Sequence, residues 1–143
     1  MQQLISHIYP GEFIPDERNG EESTNGIDHT FKNNISNCMV NVYEDESHLK
    51  MDVFLPGLNK QDINLEVKNN CIHIFVNHFE ILTNNTKFIV HEFENSRLRR
   101  KIKLPQQSDL AFISASFEDG VLKIHVPKCK IPSYGKPHQI AIY

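Results

Sequence analysis

A chain of 143 residues, 39% hydrophobic and 23% charged, suits one folded domain with tails. A formal net charge of -3 excludes the general basic field of a nucleic-acid binder, and no run approaches the ~20 apolar residues that cross a bilayer. Cys38, Cys71 and Cys129 are widely spaced and form no Cys-x-x-Cys, so free thiols are expected. With no secretory leader in view, the expected location is cytoplasmic.

Residues 1 to 38 hold six acids and two bases, a balance of -4. The remainder holds twelve acids and thirteen bases, a balance of +1. Scattered Asn, Gly and charge give this first part no period, so it is expected to be largely disordered. Leu4, Ile5, Ile8 and Phe13 stand out in it as apolar residues without a core to join. Two readings are open: stray hydrophobics of a disordered end, or a sticky segment that captures partners.

Strand patterns follow. Met39 to Tyr43 is a short candidate. His48 to Leu55 alternates Leu49, Met51, Val53 and Leu55 against Lys50, Asp52 and Phe54, and Pro56-Gly57 stops it. Ile63, Leu65 and Val67 form the apolar side of the next strand. Asn69-Asn70 turns it into Ile72, Ile74 and Val76. Thr86 to Phe93 and Leu98 to Leu104 are two more. Ala111 to Phe117 and Val121 to Val126 alternate around Asp119-Gly120, a dipeptide suited to a two-residue hairpin. About eight short strands and no 3.6-residue period predict an all-β sandwich or barrel over residues 39–128.

Residues 129–143 are a Pro-, Gly- and Lys-containing extension that finishes on Ile140-Ala141-Ile142-Tyr143. In an extended segment Ile140 and Ile142 point the same way. They pack on their own domain, or they plug a groove on a neighbouring chain.

Catalytic and ligand patterns are missing. The eight histidines form no HExxH and have no Cys pair, so no metal site is expected. Ser114 and Ser116 lie in no GxSxG elbow, and no Gly-rich loop awaits a phosphate. No cofactor and no enzyme activity are expected. The basic run Arg97, Arg99, Arg100, Lys101 and Lys103 lacks interleaved aromatics and reads as a solvated strand face. Arg100 differs from its neighbours, because it shares a face with Leu98, Ile102 and Leu104. A charge there needs a partner, or must reach solvent along its stem.

Five motifs in order give a resemblance. They are Leu55-Pro56-Gly57 before Asp62-Ile63; Ile72-His73-Ile74; Arg100-Lys101-Ile102-Lys103-Leu104-Pro105; Ala115 with Gly120-Val121-Leu122 and Pro127-Lys128; and Ile140-Ala141-Ile142. The chain resembles the small heat-shock proteins of bacterial type, the α-crystallin group of chaperones, over roughly residues 39 to 143. Ser96 and Leu98 depart from the Gly-x-Phe often found before the arginine.

The resemblance implies an immunoglobulin-like β-sandwich with flexible amino- and carboxy-terminal tails. It further implies a homodimer that builds higher homo-oligomers, and no use of ATP. In non-animal members a strand from the long loop crosses to the partner, which points to Thr86–Phe93, with Phe88, Val90 and Glu92, and to Arg100 at a dimer interface; a simple hairpin of Thr86–Phe93 within one chain is the alternative. Ile140 and Ile142 become the oligomer anchor. The expected groove walls are Leu65 and Val67 from one edge and Ile113, Ala115 and Phe117 from the other. Unfolding client proteins would meet Leu4, Ile5, Ile8 and Phe13; no nucleic-acid or membrane partner is expected. Two other classes fit such a sandwich: a co-chaperone adaptor of the CS-domain type, and a structural coat or scaffold protein.

Overall fold

The computed structural model describes residues 38–78, 85–93, 95–131 and 135–143. Alternation of apolar and polar residues there gives eight strands: β1 Met39–Glu44, β2 His48–Phe54, β3 Ile63–Lys68, β4 Cys71–Val76, β5 Arg99–Lys103, β6 Ser114–Glu118, β7 Val121–Pro127 and β8 His138–Gln139. They form two antiparallel sheets, ordered β1-β2-β7-β6 and β5-β4-β3-β8. The apolar side of each strand faces the other sheet. Met51, Val53, Leu122 and Ile124 from one layer and Ile72, Ile74 and Ile102 from the other belong to one buried cluster. This is the expected all-β sandwich, since two one-sided sheets bury their apolar faces against each other.

The turns follow the residues that tolerate positive φ. Asn69 and Asn70 stand at 52° and 57°, and Asp119 and Gly120 at 50° and 77°. Both pairs suit the two-residue connection whose twist matches the strands. Gly120 is constrained from outside as well: the Leu55 N–H donates to its carbonyl at 2.8 Å, and a Cβ there would lie 3.4 Å from Pro56 Cα. Two sequence motifs far apart in the chain, Leu55-Pro56-Gly57 and Gly120-Val121-Leu122, are thus one contact in space.

Pro127-Lys128 does comparable work at the other end of the sheet. The Lys128 ammonium donates to the Asp45 carbonyl at 2.6 Å and meets the Glu44 carboxylate at 2.9 Å. Inside that loop, the Asp45 carboxylate lies 2.7 Å from Lys50 Nζ and accepts from the Ser47 and His48 amides at 2.9 and 2.8 Å. Lys50 first, and then these two amides, hold the Asp45 carboxyl well below the usual carboxylate range.

Three segments differ from the sequence expectation. Thr86–Phe93 was expected as a strand, and it forms none. Its residues are exposed, so it has apolar β-type side chains but no ladder to join. Leu110–Phe112 forms a 3₁₀ turn, because the Asp109 carboxylate accepts the Ala111 amide at 3.2 Å, and β6 starts only at Ser114. The eighth strand is β8, inside the extension expected to be a flexible tail. The expected disorder of the first segment, with Leu4, Ile5, Ile8 and Phe13, lies outside the described residues.

Candidate functional site

β3 and β6 flank an open side of the sandwich, and residues 138–143 of the same chain lie across it. His138 and Gln139 pair antiparallel with Val67 and Glu66, and the Ile140 N–H donates to the Leu65 carbonyl at 2.9 Å. Two residues on, Ile142 forms a parallel bridge with Ala115. The Tyr143 N–H donates to the Ala115 carbonyl at 3.0 Å, and the Phe117 N–H donates to the Tyr143 carbonyl at 2.8 Å. An extended chain advances about 3.3 Å per residue, so the step from Ile140 to Tyr143 covers the ~10 Å between packed sheets. The tail leaves the edge of one sheet and joins the edge of the other.

Ile140 is 8% exposed and belongs to the core cluster, together with the buried Leu65, Val67 and Ala115. Ile142, Ile113 and Phe117 are half-buried and pack against the same cluster. Within this one chain the tail thus meets Leu65, Val67, Ala115 and Phe117 through the backbone, and Ile140 and Ile142 share the core cluster with the five residues expected as groove walls. Sequence reasoning missed the backbone part of the contact, His138, Gln139 and Tyr143. Ladder hydrogen bonds carry no side-chain signature, so only the alternation of Ile140 and Ile142 marked the region.

The residues tied by resemblance to a dimer lie on an exposed segment and on β5. Phe88, Ile89, Val90 and Phe93 are 49, 94, 70 and 53% exposed, and Glu92 is exposed beside them. Four large apolar side chains on one short segment make a patch that calls for a partner surface. The Phe88 and His91 rings stack at 4.1 Å. Arg100 sits on β5 opposite Ile74, with its side chain half-buried. Its Nε is buried and has no hydrogen-bond partner among the described residues. The carboxylate or carbonyl partner expected for Arg100 is thus not supplied to this atom.

Burial pushes the nearby Cys38 thiol up to about 11, against the opposing charge of Arg100. Cys71 is buried too, whereas Cys129 is half-exposed and its thiol donates to the Ile131 carbonyl at 2.9 Å. At a pH of about 8, an aromatic disulfide reagent is expected to modify Cys129 first and Cys38 at least roughly tenfold more slowly, because the thiolate is the reacting form. Mass mapping checks this; equal rates would contradict the burial of Cys38. Among the described residues no cluster of His, Cys, Asp or Glu could hold a metal ion, and no helix is long and apolar enough to cross a membrane.

Comparison with known proteins settles the family. Residues 41–143 match the model of the Hsp20/alpha crystallin family. The chain belongs to that family. Among relatives of this small heat-shock protein is the 17.6 kDa class II heat shock protein of Arabidopsis thaliana, 27% identical over 137 residues, covering 90% of this chain and 87% of that one. Another is the 18 kDa heat shock protein of Clostridium acetobutylicum, 33% identical over 102 residues, covering 69% and 66%. In structure it is similar to a small heat-shock protein from Xylella fastidiosa, with a TM-score of 0.59 at 24% identity over 69% of this chain and 92% of that one. Heat shock protein 16.0 from Schizosaccharomyces pombe gives a TM-score of 0.59 at 24% identity, covering 80% and 81%. These likenesses fix the fold, and the family membership supports a chaperone role.

Proposed function

We propose that this small heat-shock protein is an ATP-independent holdase that binds partly unfolded proteins and prevents their aggregation. The observation that carries the reading is the seat of Ile140 and Ile142 across the edges of β3 and β6. Uncovered sheet edges flanked by apolar side chains are a hazard in a folded protein. A detachable cover turns that hazard into a regulated binding surface.

The energy scale fits a reversible cover. Burying two Ile side chains contributes roughly 3–5 kcal/mol before ordering costs, and each ladder hydrogen bond adds about 1 kcal/mol. One such contact exchanges readily, while many in an assembly add through effective concentration. We take the cover to come from a neighbouring chain in the oligomer, by the same contacts that seat it within the chain. The exposed Phe88–Phe93 segment and Arg100 are assigned to the dimer interface, and Leu4, Ile5, Ile8 and Phe13 to client capture. The Xylella relative has a high order structure of its own, which favours assembly here. The folded unit is assigned to residues 39–128 with 129–143 as its anchor-bearing extension, and the site of action to the cytoplasm.

Independence from nucleotide is tested by light scattering from a heat-denatured client. Suppression is expected to be the same with ATP, with a non-hydrolysable analogue and with neither. Suppression that appears only with ATP would overturn the reading.

A further inference from the structure

The outer side of β5 is more than a solvated face. Arg97, Arg99, Lys101 and Lys103 alternate with the inward, buried Leu98, Ile102 and Leu104, so four cations share one row. The sequence shows no aromatic between them, but the sheet register supplies one. Phe75 stands opposite Arg99, and His73 opposite Lys101. The Arg99 guanidinium carbon is 5.5 Å from the Phe75 ring centre, and His73 stacks beside that ring at 6.1 Å. Next to this row is a concavity of about 640 Å³, walled by Arg97, Arg99 and Phe75, with Glu66 the acid in its lining.

The topology also fixes where the amino-terminal segment joins. The tail bridges β3 to β6, so those edges lie on one side of the sandwich. β1 and β5, the opposite ends of the two strand orders, therefore share the other side. Cys38, which leads into β1, is buried there, and the charge of Arg100 on β5 reaches it. Residues 1–37 are thus attached beside the free edge of β5. Their charge is the complement of that edge: Glu12, Asp16, Glu17, Glu21, Glu22 and Asp28 are acidic, and between Glu12 and Asp28 only Arg18 is basic. Cys38 is ten residue steps from Asp28, a reach of up to about 33 Å. Crossing a four-stranded sheet takes about 15 Å.

We infer that the outer face of β5 and β4 is the docking surface for the acidic stretch Glu12–Asp28 of the same chain. Six carboxylates meet the row Arg97, Arg99, Lys101 and Lys103, and Phe75 offers an apolar seat among the cations. Docking would hold the apolar residues ahead of Glu12 against the sandwich, and salt would release them, because exposed charge pairs are screened.

Zero-length carbodiimide coupling of the full chain tests this. Isotopically labelled and unlabelled chains are mixed in equal amounts during refolding, and coupled peptides are mapped by mass. The expected result is coupling of Lys101 and Lys103 to carboxylates between Glu12 and Asp28, within chains of one label, falling about fivefold in ~0.5 M salt. Arg97→Gln with Arg99→Gln should reduce the same coupling by about threefold, since surface charges act over a Debye length. The salt series on the unaltered chain stands even if that variant does not fold. Coupling in which about half of the products join a labelled to an unlabelled chain, the statistical share for contacts between copies, would make the face a seat for a second copy and overturn the proposal. Absence of coupling to these lysines would overturn it as well. So would a single-stranded oligonucleotide that, added before the carbodiimide, binds tightly to the row and leaves the coupling undiminished.

Discussion

Replacing Ile140 and Ile142 together by alanine is expected to shrink the native mass from that of an oligomer to that of a dimer. The change removes most of the apolar surface that the tail buries against Leu65, Val67 and Ala115. At about 3–5 kcal/mol for the two side chains, the tail should bind roughly 10²–10⁴-fold more weakly. The backbone contacts of Tyr143 with Ala115 and Phe117 remain available, but isolated ladder bonds of about 1 kcal/mol cannot offset ordering the tail. Melting of the sandwich should also fall, because Ile140 belongs to the same buried cluster as Met51, Ile74 and Ile124, so the loss of mass is read at a temperature where the variant is still folded. Unchanged mass by light scattering would remove the assembly role from this contact.

Arg100→Glu carries the second large effect. The Nε of Arg100 is buried and finds no hydrogen-bond partner among the described residues. In the proposed dimer a carboxylate or carbonyl of the second chain meets it. Reversing the charge there strands two like charges, or one buried carboxylate, and breaking such a pair costs about 3–5 kcal/mol. Loss of dimer and a lower melting temperature are expected. Arg100→Met separates the two roles: it should leave the sandwich folded, since Met fills the inner face without an unpaired donor, yet weaken the dimer. A dimer of unchanged mass and melting in both variants would place the partner of Arg100 elsewhere.

Local rules made most of the sandwich legible. The alternations in β2, β3, β4 and β7, and the Asn69-Asn70 and Asp119-Gly120 turns, are set by residues within a few positions of one another, so a linear reading finds them. Thr86–Phe93 shows the limit of such a reading. Its side chains suit a strand, but a strand also requires a neighbouring ladder, which is a property of the assembled fold. β8 is the converse case. His138 and Gln139 have little strand character, and the exposed backbone of β3 recruits them. At the candidate site, the apolar alternation of Ile140 and Ile142 and of Ile113, Ala115 and Phe117 was visible. That Leu65 and Val67 share a groove with Ile113, Ala115 and Phe117 was not readable from local pattern and came with the resemblance, because it depends on how two sheets stack. The same holds for Phe75 beside Arg99, which lie on neighbouring strands and 24 positions apart in the chain.

A nucleotide-free holdase built by assembly can be recognised from native mass and client aggregation measured on one preparation without ATP. A mass well above a dimer, together with suppression of a heat-denatured client at about equimolar ratio, is the predicted result for many weak apolar sites acting together. A monomer would point instead to an adaptor of a folded chaperone, and a large assembly that leaves the client free to aggregate would point to a scaffold. Either result would contradict the account.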